Sequence, residues 1–169
     1  MARMPYVEHD ATSDKTRDIL DRLGNKNIFR MMAHSESHLR TYCRLGNAIR
    51  YKGELDPGLR ELAITRTGVL CNSPYEVVAH KRIGIDVGLS AAKVNALDSG
   101  IDSALFTDLE RDVLAFTDDV VTNDRASDQT FDKLANQLTP GALVELYLAV
   151  GFYIMTSKFL NTFDIDMEA

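Results

Sequence analysis

The chain has few of the residues that would tie it to a disulfide framework or to nucleic acid. Its 169 residues include two cysteines and no tryptophan, and acidic residues outnumber basic ones to give a formal net charge of −6. Two cysteines cannot form the several disulfide bonds that stabilise small secreted domains. Cys43 and Cys71 therefore favour a reducing, cytoplasmic compartment. The acidic balance argues against a nucleic-acid partner, because phosphate backbones are bound by basic surfaces.

Long hydrophobic runs are also missing. The most apolar stretch, 142–155, contains Glu145 and is shorter than the ~20 residues that cross a bilayer. The first ten residues carry no apolar segment of the kind a signal peptide needs. No stretch of disordered composition divides the chain, and its length suits one domain. We therefore expect a single domain over 1–169, soluble and without a membrane partner.

The chain contains many sequence signals for the starts of helices. Asp56-Pro57 combines an N-cap acceptor with proline at the first helical position. Ser-x-x-Glu at Ser73 and Thr-x-x-Glu at Thr107 both match the capping box. Apolar residues between these signals recur at three- and four-residue steps, and no strand pattern is evident. The sequence predicts an all-α fold of about seven or eight helices, over 13–23, 35–51, 56–70, 73–84, 90–97, 107–121, 129–138 and 139–159, with a short apolar turn at 28–33.

Acid–base residues concentrate in one region. Glu61 lies near the start of one predicted helix, and Glu76 and His80 lie four residues apart on the next. Residues four apart share a helix face, so Glu76 and His80 can touch. If the two helices form an antiparallel hairpin, Glu61 also faces them. Two carboxylates and a histidine in an apolar setting make a workable proton-transfer site.

The segments that carry these residues resemble a known family. Residues 59–64 read LRELAI and residues 72–80 read NSPYEVVAH. This pattern is similar to the carboxymuconolactone decarboxylase family, which includes alkylhydroperoxidase D. The resemblance covers most of the chain and is specific over about 56–97. It implies an alkylhydroperoxidase D-like helical bundle that assembles into homo-oligomers, trimers or hexamers.

The chain departs from the peroxidase branch of that family at two positions. Peroxidase members open the motif helix with Cys-x-x-Cys, whereas this chain has Ser73 and Glu76 there, and Cys71 has no cysteine three residues on. The chain therefore resembles the cysteine-free branch, which contains the decarboxylase. That likeness implies a cofactor-free lyase or isomerase in which Glu61, Glu76 and His80 transfer protons on a small organic, possibly carboxylated or lactone, substrate. It implies neither a metal nor an organic cofactor.

Substrate contacts are assigned to Ser73, to Tyr75 and to Arg66, whose planar guanidinium suits a carboxylate. Simpler roles stay open: Glu76 as half of a capping box, and His80 as a core histidine bonded to a carboxylate. Glu61, beside Arg60 and Arg66, could be an ordinary salt-bridge partner on a half-solvated face.

Two other functions also stay open. The chain could be a non-catalytic, oligomeric or ligand-binding member of the family, or an antioxidant protein with residual peroxidase activity through Cys71. His34 and His38 have the four-residue spacing of a shared metal ligand pair, but no third ligand is near them in sequence. We predict no metal site.

Overall fold

The computed structural model describes residues 1–168, which form helices and no strand. Short 3₁₀ turns over His9–Ala11 and Ala33–Ser35 accompany the α-helices. The α-helices are α1 Asp14–Arg22, α2 Asn27–Met32, α3 Glu36–Tyr51, α4 Pro57–Leu70, α5 Pro74–Asp86, α6 Ala91–Ala96, α7 Asp108–Asn123, α8 Asp128–Ala135 and α9 Pro140–Thr162. The all-α prediction is confirmed. Each of the eight expected helices is present, and the short apolar turn expected at 28–33 is itself the helix α2.

Side-chain caps start several helices where the sequence predicts them. The Asp56 carboxylate accepts a hydrogen bond from the Leu59 N–H at 3.0 Å. At α7 the full capping box forms: Thr107 Oγ1 accepts from the Glu110 N–H, and the Glu110 carboxylate accepts from the Thr107 N–H at 2.7 Å. Each bond satisfies an N–H that has no partner within the helix.

The capping box predicted at Ser73 is wrong. The Ser73 side chain makes no capping hydrogen bond at α5, and its hydroxyl finds no partner among residues 1–168. The backbone explains the difference: the Ser73 N–H bonds to the Gly68 carbonyl at 2.9 Å, after a left-handed Asn72 (φ 51°). Pro74 then supplies the first helical position, and it has no N–H that needs a cap.

The chain folds into two compact units. The first contains residues 1–48 and the C-terminal stretch from Phe159. Its small core holds Leu20, Ala33 and Leu39, and Cys43 packs against them. Burial raises the pKa of the Cys43 thiol to about 11, and the nearby Arg22 charge offsets part of that rise. Cys43 is therefore a packing residue.

A carboxylate ties α1 to α3 in this unit. Glu36 accepts hydrogen bonds from the Ser13 hydroxyl, from the Thr16 hydroxyl at 2.7 Å and from the Ser13 N–H at 3.1 Å. These bonds, in that order, lower the pKa of Glu36 to about 2. Ser13 is the N-cap residue of α1, but its side chain bonds to Glu36 and makes no capping hydrogen bond.

The second unit, 49–158, is built around α4. Every residue of α4 from Leu59 to Gly68 is buried, including Arg60, Glu61 and Arg66. A helix buried on all sides belongs in the centre of a core, and its charged residues must find partners there. The apolar cluster of this unit contains Leu55, Leu59, Ala63, Val113, Phe116, Val120, Leu134, Ala142, Leu143, Leu146 and Val150. The predicted motif region, 56–97, lies within this unit, and the single-domain organisation stays a prediction.

The last helix is longer than its apolar run. α9 has 23 residues and is, among the described helices, the one long and apolar enough to cross a bilayer by length and composition. Half of its apolar window is buried, as in the core helix of a globular protein. Leu146 and Val150, which are fully buried, belong to the cluster around α4.

The two Ser/Thr-x-x-Glu sequences offer a matched stability test. Thr107→Ala removes a cap that is made, and we expect it to lower the free energy of unfolding by about 1 kcal/mol. Ser73→Ala removes a hydroxyl that caps nothing, and we expect no loss. Urea unfolding followed by circular dichroism measures both. Equal destabilisation by the two variants would contradict this assignment of the caps.

Candidate functional site

The site is formed by the hairpin of α4 and α5. Only residues 71–73 separate the two helices, so they run antiparallel. Two glycines permit close approach: a Cβ on Gly68 would lie 3.2 Å from the Glu76 Cβ, and a Cβ on Gly84 would lie 3.8 Å from the Glu61 Cβ. Gly68 therefore faces Glu76, and Glu61 lies further along the hairpin, facing the next turns of α5.

Both ring nitrogens of His80 face buried carboxylates. Nδ1 lies 2.7 Å from Glu61 Oε2, and Nε2 lies 3.4 Å from Glu76 Oε2. The exposed fractions of Glu61, Glu76 and His80 are 0%, 4% and 4%. The structure thus brings together the three residues that the sequence marked as acid–base candidates, with the imidazole between the two carboxylates.

Glu61 determines which ring nitrogen of the neutral histidine carries the proton. Burial alone would raise the pKa of Glu61, but the hydrogen bond and charge of His80 together with the Arg60 charge outweigh burial and lower it. Arg60 Nε also donates to Glu61 Oε1 at 3.2 Å. An ionised carboxylate only accepts hydrogen bonds, so the proton of the neutral imidazole lies on Nδ1. Nε2 is then directed towards Glu76.

Glu61 is more buried than the salt-bridge alternative assumed. A half-solvated position beside Arg60 and Arg66 was one interpretation of the sequence, whereas Glu61 is fully buried and pairs with Arg60 and His80. Because a buried charge is costly unless paired and hydrogen-bonded, each of these partners is required for the fold as well as for any chemistry.

An aromatic ring on α9 completes the surroundings of His80. The Tyr153 ring centroid lies 4.6 Å from the His80 ring centroid with the planes at 78°, and Tyr153 is 5% exposed. The sequence pattern does not identify this neighbour of His80. Periodicity assigns a residue to a helix face, but it gives no register between α9 and a helix more than 50 residues earlier.

The three residues assigned to substrate contacts differ from one another in their position relative to His80. Ser73 is buried at the N-terminal end of α5, three residues before Glu76. Tyr75 is buried too, but one residue from Glu76 it projects about 100° around the helix. Arg66 donates to both Asp118 oxygens, at 2.7 and 2.8 Å, and to the Leu97 carbonyl at 3.0 Å. Asp118 therefore already occupies the pair of guanidinium N–H groups that would bind a substrate carboxylate.

The thiol near the site lacks the features of a reactive thiolate. Burial raises the pKa of Cys71, partly offset by the charge of Lys158. A raised pKa keeps the sulfur protonated at neutral pH, whereas nucleophilic thiols have lowered values.

The two histidines around the start of α3 each contact a hydrogen-bonding group of the first unit. His34 Nε2 lies 2.8 Å from the Pro5 carbonyl oxygen, and His38 Nδ1 lies 2.7 Å from the Ser35 hydroxyl. Within residues 1–168, no group of three or more His, Cys, Asp or Glu side chains is arranged to hold a metal ion.

Several solved structures share this fold. A peroxidase-related protein with an alkylhydroperoxidase AhpD core from Ralstonia eutropha JMP134 matches with a TM-score of 0.89 at 20% identity, over 99% of this chain and 92% of that one. A peroxidase-related protein from Silicibacter sp. TM1040 matches with a TM-score of 0.85 at 15% identity, over 99% of this chain and 91% of that one. The debrominase Bmp8, in complex with 2,3,4-tribromopyrrole, matches with a TM-score of 0.84 at 16% identity, over 100% and 95%.

At these identities the likeness is one of fold. No curated protein matches the chain in sequence. The model of the carboxymuconolactone decarboxylase family matches residues 36–119, which include Glu61, Glu76 and His80. With the helical hairpin and its buried carboxylates in the matched region, the chain belongs to the carboxymuconolactone decarboxylase family.

Proposed function

We propose that the protein is a cofactor-free lyase or isomerase that moves a proton on a small organic, possibly carboxylated or lactone, substrate. The observation that carries this proposal is the pairing of both His80 nitrogens with buried carboxylates, 2.7 Å from Glu61 and 3.4 Å from Glu76. A histidine held in one tautomer, beside a second carboxylate, can both take and return a proton.

Each residue has a distinct part in the proposed chemistry. Glu61 holds the Nδ1 proton and orients the ring. Glu76 and Nε2 form the pair that exchanges a proton with the substrate. In an isomerisation, one carbon gives up a proton to this pair and another carbon of the same substrate receives it. In a decarboxylation, the electron pair of the broken C–C bond stays on the substrate and carbon dioxide leaves. The His80–Glu76 pair, after taking up a proton from water, delivers that proton to the same carbon.

The three residues predicted to contact the substrate have different parts in the proposal. Ser73 lies at the N-terminal end of α5, three residues before Glu76, and can meet a substrate oxygen directly. Tyr75 lies on the first turn of the same helix and would form an apolar wall. Arg66 would have to exchange Asp118 for a substrate carboxylate before it could bind one.

The role of His80 is tested by substitution. With a substrate found by screening small carboxylic acids and lactones by mass spectrometry, we expect His80→Ala to lower turnover by about 10²–10⁴-fold, since this is the usual contribution of a proton-transfer group. His38→Ala, at a histidine of α3 that is bonded to Ser35, is the matched control and should keep full activity. Turnover that survives in His80→Ala would exclude the mechanism.

The peroxidase alternative has a direct test of its own. We expect no dithiol-coupled reduction of alkyl hydroperoxides, because Ser73 and Glu76 occupy the positions of the exchanging thiols and disulfide exchange needs a second cysteine. Peroxide consumption with dithiothreitol as reductant measures this, with Cys71→Ser alongside. A robust rate that disappears in Cys71→Ser would show that the protein is a thiol peroxidase after all.

We further propose that the chain works in the cytoplasm as a homo-oligomer, a trimer or hexamer. Two cysteines are too few for a disulfide framework, which suits a reducing compartment. α9 exposes apolar side chains on one face, with Val144, Tyr147 and Met155 each at least half exposed. Such an apolar face is typical of a surface that another subunit covers.

Light scattering tests the assembly. We expect a mass of about three or six times the 18.9 kDa of one chain at micromolar concentration. Tyr147→Glu places a charge on this apolar face of α9 and should shift the mass downwards. Arg82→Glu, an exposed site on α5, is the control for an added negative charge. A mass near 18.9 kDa for the unaltered protein would contradict the proposal.

A further inference from the structure

His80 is buried although it lies on a helix with a solvent-exposed face. On α5, Val78 is 57% exposed and Arg82 is exposed, whereas His80 is 4% exposed. The contacts of His80 with Glu61 and Glu76 are made at the two ring nitrogens and leave the rest of the imidazole to other neighbours. These neighbours matter for proton transfer, because water that reaches a ring nitrogen can exchange its proton.

The ring of Tyr153 on α9 covers the imidazole. Its centroid lies 4.6 Å from the His80 ring centroid with the planes at 78°, so the edge of one ring meets the face of the other. Tyr153 is 5% exposed, and Ala149 and Val150, one turn earlier, are fully buried. The Phe152 ring lies a further 5.4 Å from the Tyr153 centroid. Because this surrounding core is close-packed, the phenol ring is held against the imidazole.

The perpendicular contact adds a constraint that the two carboxylates do not supply. Hydrogen bonds tolerate a broad range of angles, so Glu61 and Glu76 alone permit the imidazole to tilt. A ring at 78° and 4.6 Å blocks the tilt, because a tilting imidazole would enter the van der Waals volume of the phenol ring. The contact of Nε2 with Glu76 depends most on this constraint, since at 3.4 Å it is longer than the 2.7 Å contact with Glu61.

We propose that Tyr153 is a positioning residue for His80. Its ring holds the imidazole between Glu61 and Glu76 and keeps water from the Nδ1 proton that Glu61 binds. In water-free surroundings the interactions between the imidazole and both carboxylates are stronger than they would be in water. The aromatic ring performs this role, so phenylalanine can replace tyrosine at position 153. The proposal rests on the proposed function in one respect, that the positioned histidine transfers the proton of the substrate.

The test follows the Nδ1 proton of His80 by NMR in the full-length protein labelled with ¹⁵N-histidine, without any substrate. A ring N–H gives a signal when its exchange with water is slow, and saturation transfer from water measures the rate. The signal is assigned by its absence in His80→Gln. We expect the exchange rates of the unaltered protein and of Tyr153→Phe to agree within about twofold. Tyr153→Leu removes the ring but keeps an apolar side chain, and should accelerate exchange at least about tenfold.

A loss of aromatic packing elsewhere in the same unit is the matched control. Phe116 is 3% exposed and belongs to the apolar cluster of this unit. Phe116→Leu makes the same kind of change, and we expect it to leave the exchange rate of the His80 proton unaltered even where thermal unfolding shows an equal loss of stability. If Tyr153→Leu does not fold, Tyr153→Met makes the same comparison, because the flexible methionine side chain fills irregular space.

Three results would overturn the positioning role. The first is an unchanged exchange rate in Tyr153→Leu or Tyr153→Met. The second is equal acceleration in Phe116→Leu, which would show that general loosening of the core is the cause. The third is acceleration in Tyr153→Phe as large as in Tyr153→Leu, which would show that the ring does not perform the role.

Kinetics separate this proposal from the proposed function. With a substrate identified, Tyr153→Leu should lower kcat about tenfold to a hundredfold through misplacement of His80, change KM by less than about threefold, and be rescued by Tyr153→Phe. An effect of Tyr153→Leu on KM alone would contradict the positioning role. If proton exchange behaves as expected but turnover survives in His80→Ala, the proton-transfer function is wrong and the positioning of His80 stands.

Discussion

The second unit depends on one buried charge. Glu61 is fully enclosed at the centre of α4, and a carboxylate in that position is tolerated only when its oxygens are hydrogen-bonded and its charge is matched. Arg60 meets one oxygen and His80 the other. The bond between Glu61 and His80 fixes both the position of α5 against α4 and the orientation of the imidazole. The same contact therefore holds the hairpin closed and sets the tautomer that the proposed chemistry needs.

Much of this arrangement could be predicted from local spacing. Four residues between Glu76 and His80 place them on one face, and a three-residue turn makes α4 and α5 antiparallel. These are short-range rules, and they correctly located the carboxylate–imidazole group. The same rules failed at Ser73, since Ser-x-x-Glu describes a possible cap but not the backbone bond from the Ser73 N–H to Gly68 that replaces it. At Thr107, where no such competing contact exists, the prediction was right.

The contributions of α9 could not be predicted. Tyr153 meets His80 across 73 positions of sequence, and only the packing of three helices fixes that register. The sequence also does not distinguish the hydroxyls of Thr65 and Ser157, which have no hydrogen-bond partner within 1–168, from that of Thr67, which bonds to its own helix. Packing decides this difference.

The tautomer of His80 tests the central claim most directly. In ¹⁵N-labelled protein, long-range ¹H–¹⁵N correlations distinguish a protonated ring nitrogen from an unprotonated one. The account predicts that neutral His80 carries its proton on Nδ1, and that Glu61→Gln, which can donate as well as accept, removes this preference. His38, exposed and bonded to a hydroxyl rather than to a carboxylate, supplies the internal comparison. A His80 ring protonated on Nε2, or one that averages between the two forms, would contradict the account.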